Sequence, residues 1–170
     1  IETPAPPTPV PPTSTPDAPT RTPMYILPTS SVEPSATQTE AIASDYDFIS
    51  QAQPQAVSAS LFMASRGCDW LGVAGQVLDL RDSPLSGTKV ELGGYFNGKP
   101  VSMLTLSGTA VQYGPSGYEF TISNELIASN DALWVRLLDT ADLPLSARVV
   151  FDTSSDCAKN LVVINFRQVK

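Results

Sequence analysis

Proline placement divides this chain before any other feature does. Eleven of its sixteen prolines fall between Pro4 and Pro34, and the other five are scattered singly through the rest of the chain. Proline fixes φ, removes a backbone donor and disfavours helix in the residue before it. The stretch IETPAPPTPVPPTSTPDAPTRTPMYILPTSSVEP is therefore expected to favour extended polyproline II. It also lacks the apolar surface needed to offset its chain entropy. A compact core must come from the remainder, which has the size of one sandwich domain. The expected division is an extended arm over residues 1–55 and a β-sandwich over residues 56–170.

Thr-Pro pairs begin at Thr3, Thr8, Thr15 and Thr22. This is the composition of O-glycosylated stalks, which makes Thr3, Thr8, Thr13, Thr15 and Thr20 the candidate acceptors. No Asn-x-Ser/Thr sequon occurs. Two apolar islands interrupt the arm. Met24, Tyr25, Ile26 and Leu27 lie between Pro23 and Pro28, while Ile42, Tyr46, Phe48 and Ile49 punctuate a polar run. A linker has little reason to carry such islands unless something buries them, so both are candidate subunit-contact segments.

Beyond the arm, QAVSASLFM alternates as a strand would, through Val57, Ala59, Leu61 and Met63. From Trp70 onward seven further strands are expected, near 71–80, 88–96, 102–107, 118–123, 133–139, 147–152 and 161–169. Turn chemistry separates them at Asp82-Ser83-Pro84, Asn97-Gly98-Lys99-Pro100, Gly114-Pro115-Ser116-Gly117, Leu143-Pro144 and Ser154-Ser155-Asp156. Only 124–130 is expected to form a helical turn. The fold class is an all-β antiparallel sandwich of about seven strands. Cys68 and Cys157, the only cysteines, bracket most of the strand-rich region. A disulfide is expected, the alternative being two buried thiols of a reducing compartment.

The segment GVAGQVLDLRDSPLSGTKVELGG, residues 72–94, resembles the carboxypeptidase regulatory-like domains, transthyretin-type sandwiches of the wider immunoglobulin-like class. A first strand ends at Asp79, Pro84-Leu85-Ser86-Gly87 turns, and a second strand enters through Val90 and Leu92. A similar rhythm recurs in VRLLDTADLPLSARVVF, residues 135–151. The resemblance implies an accessory module without catalytic residues of its own. The arm is similar to that of donor-strand pilins. Related pilin and adhesin sandwiches carry Lys-to-Asn isopeptide bonds, and Lys89, Asn165 and Glu119 fall on strands that could supply them. Alternation instead places Lys89 with Glu91 on the wet face, as an ordinary solvated lysine.

The absence of histidine excludes Ser-His-Asp and Cys-His catalysis and imidazole metal sites. The globule's acids lie mostly beside turns, where backbone capping explains them. A net charge of −7 without a basic cluster argues against a nucleic-acid partner, and no apolar run is long enough to span a bilayer. No catalytic residue, metal or cofactor is expected. Ile at position 1 in place of Met is expected of a chain whose export signal has been removed.

The expected function is a structural subunit of an extracellular filament or surface appendage. The chain would be its own partner, head to tail, with the arm packing on or completing a neighbouring subunit. The alternative is a secreted carbohydrate- or protein-binding module, its arm an O-glycosylated spacer. A surface glycan would then meet aromatics drawn from Trp70, Tyr95, Phe96, Tyr113, Tyr118 and Trp134.

Overall fold

Ten strands are present in the computed structural model, which describes residues 45–170. They are β1 (Phe48–Ser50), β2 (Gln55–Val57), β3 (Leu71–Leu78), β4 (Lys89–Phe96), β5 (Lys99–Leu106), β6 (Gly117–Ser123), β7 (Ser129–Leu138), β8 (Val149–Thr153), β9 (Leu161–Val163) and β10 (Phe166–Gln168). The order β5-β4-β7-β8 makes a four-stranded sheet II. The other six strands make sheet I. In it β3 pairs antiparallel with β6 on one side and parallel with β9 and β10 on the other. Two short pieces, β1 on β10 and β2 on β9, close its far edge.

Alternation decides which residues enter the core. Val90, Leu92, Val135, Leu137 and Phe151 point from sheet II toward Val73, Val77, Tyr118, Phe120 and Phe166 of sheet I and Ile164 of the link between β9 and β10. Each large apolar side chain buried this way contributes about 1.5–3 kcal/mol before entropy is charged. The chain is thus the all-β sandwich that its spacing predicts. Asn97 and Gly98, with φ of 49° and 73°, form the two-residue turn that joins β4 to β5, so β5 begins at Lys99, earlier than 102.

The two similar loops after β3 and β7 are near copies. The Asp79 carboxylate accepts from the N–H groups of Arg81 and Ser83 at 2.8 Å, and Asp139 accepts from those of Ala141 and Leu143 at the same distance. Asp82 and Asp142 then take positive φ, 59° and 63°.

Four local expectations change. The compact unit reaches back past residue 56, because β1 pairs with β10 and Phe48 is buried. Of the strand expected over 55–63 only Gln55–Val57 forms, as β2. After Val57 the chain enters a 3-10 turn at Ala59–Leu61, whose first N–H donates to the Asn160 side chain at 2.8 Å. No helical turn forms over 124–130, and β7 starts at Ser129. The expected C-terminal strand is split into β9 and β10. Between them the Asn165 side chain accepts from the Gln76 N–H at 2.9 Å in place of a backbone carbonyl, and the Ile164 carbonyl accepts from the Tyr118 hydroxyl at 2.7 Å.

Candidate functional site

The disulfide forms between Cys68 and Cys157, whose Cα atoms are 5.0 Å apart. It clamps the approach to β3 against the turn before β9. Asn160 braces the same corner, donating from its amide to the carbonyls of Gly67 and Trp70 at 2.9 and 3.1 Å.

Sheet I is covered on its outer face. Trp70 lies over Gly72, where a Cβ would come within 2.4 Å of the indole. Around it Ala59, Ala74, Ala110, Tyr113 and Leu161 make a second apolar cluster. Glu119 is held there by Arg66 at 3.0 Å and by the Tyr113 hydroxyl at 2.7 Å. Burial, then the hydrogen bond to Glu119, pushes the Tyr113 phenol well above its ordinary range. This cluster is filled with structural contacts.

Among the described residues sheet II is open on its outer face. Outward residues of β4 are Lys89, Glu91, Gly93 and Tyr95; beside them lie Leu106, Leu104, Ser102 and Pro100 of β5, and Arg136 and Trp134 of β7. Trp134 lies on Gly93, where a Cβ would meet three indole atoms at 2.3–2.9 Å. The Arg148 guanidinium stands 4.2 Å from its ring centroid, and Arg136 pairs with Glu91 at 2.6 Å. Tyr95 is 64% exposed, Leu104 61% and Leu106 44%. At one end Thr88, Lys89, Leu106, Leu138 and Leu145 line an open hollow of about 450 Å³.

This apolar strip runs to the free side of β5. Among the described residues β5 pairs only with β4, in unbroken register over eight residues. A bare strand edge is a template for another strand, and proteins blunt such edges with charge, proline, bulges or brevity. The other three edges are blunted. The β1/β2 line consists of two three-residue pieces interrupted at 51–54; β6 carries Glu119; β8 carries Asp152 and sits beside a register break. On β5 the only such residues, Lys99 and Pro100, stand at its start. Val101–Leu106 reads VSMLTL, six residues without a charge.

The residues singled out in the sequence separate accordingly. Phe48 is a core residue of its own domain: its register with Gln168 turns it inward, and its N–H donates to the Leu145 carbonyl at 3.0 Å. Ile49, one residue on, faces out, and Tyr46 is 37% exposed. Met24, Tyr25, Ile26, Leu27 and Ile42 lie outside the described residues, as do Thr3, Thr8, Thr13, Thr15 and Thr20. Of the six aromatics considered for a stacking platform, Trp70, Phe96, Tyr113 and Tyr118 are buried, leaving Tyr95 and Trp134 on the outer face of sheet II. Lys89, Asn165 and Glu119 enter three separate networks, Lys89 bonding to Asp142 and to the Thr140 carbonyl. Among the described residues there is no group of three metal-ligating side chains and no helix long and apolar enough to cross a membrane. Comparison with protein-family models, curated proteins and solved structures finds no match for this chain.

The β5 edge was not singled out from the sequence. Its lack of charge over 101–106 was visible there, but which strands would be left without a second neighbour was not.

Proposed function

We propose that this chain is a structural or adhesive subunit of an extracellular assembly, in which the Pro/Thr-rich arm of one copy packs on the sandwich of another. The observation that supports this most directly is the open, uncharged β5 edge beside an exposed apolar strip. An added strand there gains main-chain hydrogen bonds, each worth about 0.5–1.5 kcal/mol net. Alternate side chains cover Leu104 and Leu106. The Cys68–Cys157 bond fits an oxidising compartment, where such a module would work. An arm-to-sandwich contact is heterologous, so successive copies extend into a filament unless the rotation closes a ring.

A second reading rests on Tyr95 and Trp134, two aromatics on one open face, as a carbohydrate-stacking surface with the arm as spacer. The two readings differ in what removal of the arm does. Deleting residues 1–44 leaves β1 intact, whereas a cut at residue 50 would take Phe48 from the core. Electron microscopy and sedimentation of the intact chain beside the 1–44 deletion test the proposal. Assembly is expected to need the arm, and assembly unchanged by the deletion would refute an arm-mediated contact. Binding on a glycan array that is lost in Tyr95→Ala would favour the second reading.

A further inference from the structure

Resting on the assembly reading, we infer that the β5 edge is the acceptor and that the segment Met24–Leu27 of a second copy is the strand it receives. Two apolar islands lie N-terminal to the sandwich, and the second is already used. Phe48 fills its own core and β1 pairs with β10. That leaves Met24-Tyr25-Ile26-Leu27, the longest apolar run outside the described residues.

The two segments match in length and chemistry. Pro23 and Pro28 bound the donor at four residues, each with a backbone N–H. The acceptor is bounded by Pro100 on one side. On the other stands Ser107, whose N–H donates to the Thr88 carbonyl at 2.9 Å and whose hydroxyl donates to the Leu85 carbonyl at 2.7 Å. A four-residue donor therefore fits within Val101–Leu106. Neither segment carries a charge, so pairing strands no ion. Alternation sends two donor side chains toward the rim of the core, beside Met103, which is 38% exposed, and two onto the outer face beside Leu104. The residues between Leu27 and Asp45 span roughly 55–60 Å when extended, several times the radius of gyration of about 14 Å for a domain of this size, so the arm reaches a neighbour.

The test uses two full-length variants. Tyr25→Pro with Ile26→Pro removes both central donor N–H groups, one of which faces β5 in either register, and leaves β5 intact. Ser102→Lys with Leu104→Lys charges the outward side of β5 at exposed positions and leaves the arm intact. In sedimentation velocity across a concentration series, the unaltered chain is expected to associate, and each variant alone to show an apparent dissociation constant raised about tenfold or more. Mixed, the two variants are expected to form a one-to-one complex that grows no further, since only one acceptor and one donor remain. Far-ultraviolet circular dichroism like that of the unaltered chain confirms that each is folded. If the proline variant associates as the unaltered chain does, Met24–Leu27 is not the donor, while assembly itself stands. If the lysine variant associates normally, β5 is not the acceptor. A chain that remains monomeric at every soluble concentration overturns the assembly reading and this one with it.

Discussion

Removing the disulfide by Cys68→Ala with Cys157→Ala is expected to destabilise the sandwich by about 3–5 kcal/mol. The bond joins residues 89 apart in sequence. For a loop of about 90 residues the closure-entropy relation gives about 4.6 kcal/mol at 25 °C. The bond also acts where no hairpin can, since β3 and β9 run parallel, with Gly72 opposite Leu161. Part of the constraint survives without it, because Asn160 still ties the 59–70 segment to the start of β9. The full entropic figure is therefore an upper bound. At an unfolding entropy of about 2.1 cal/mol/K per residue, the loss lowers Tm by roughly 10–20 °C for a domain of about 126 residues. Urea unfolding followed by tryptophan fluorescence, and thermal melts by circular dichroism, measure both. The m-value should rise, because the unfolded variant is more expanded and exposes more surface. A loss under about 1 kcal/mol with unchanged m would show that the bond does not restrain the unfolded chain.

Three further substitutions test the packing. Gly75→Ala would place a Cβ 1.8 Å from the Ile164 carbonyl oxygen. Backbone on both sides leaves nothing to move, so a loss of about 4 kcal/mol or more is expected in urea titration, and a mild effect would refute this geometry. Tyr118→Phe removes the donor to that same carbonyl, at a cost of about 1–2 kcal/mol in the same titration. Burial pushes the Tyr118 phenol far above its ordinary range, so only the neutral form fits the fold. Its contribution is full below the unfolded phenol pKa of about 10 and falls as pH rises beyond it, which alkaline unfolding monitored by phenolate absorbance would detect as ionisation coincident with unfolding. Glu119→Ala leaves Arg66 and the Tyr113 hydroxyl without their acceptor over sheet I, and a loss of about 1–3 kcal/mol is expected by thermal melt.

Much of the sandwich was legible because its strands obey period-two alternation and its turns use residues with few other roles. Val90 and Leu92 face in while Lys89 and Glu91 face out, as their spacing requires. Asn97-Gly98 reads as a hairpin turn and is one. What escaped were features set by contacts distant in sequence. Val57, Ala59, Leu61 and Met63 alternate correctly for a strand, yet Asn160, about a hundred residues away, caps Ala59 and a 3-10 turn forms. The C-terminal run is uniformly strand-like. It splits because the Asn165 side chain can substitute for a backbone acceptor opposite Gln76, a choice invisible in local propensity. β1 is only three residues long, and its partner β10 lies more than a hundred residues away.

The candidate site was hidden for a related reason. A sequence can announce a strand, but an edge is a property of the whole sheet order. VSMLTL would be unremarkable in the centre of a sheet, with both sides paired. It becomes an open edge only because β4 lies between β5 and β7, leaving β5 with one neighbour among the described residues. The same topology explains why the face beside it is open. On sheet I the long 58–70 segment, ending in Trp70, and the 111–113 turn fold back over Gly72 and Ala74. On sheet II the connection from β4 to β5 is a two-residue turn, too short to cover anything, and Leu104 stays in water. The two-residue turn on sheet II and the long segments folded over sheet I thus leave, among the described residues, Leu104 and Leu106 exposed beside a free edge, and Met24–Leu27 is an apolar run of this chain bounded by Pro23 and Pro28.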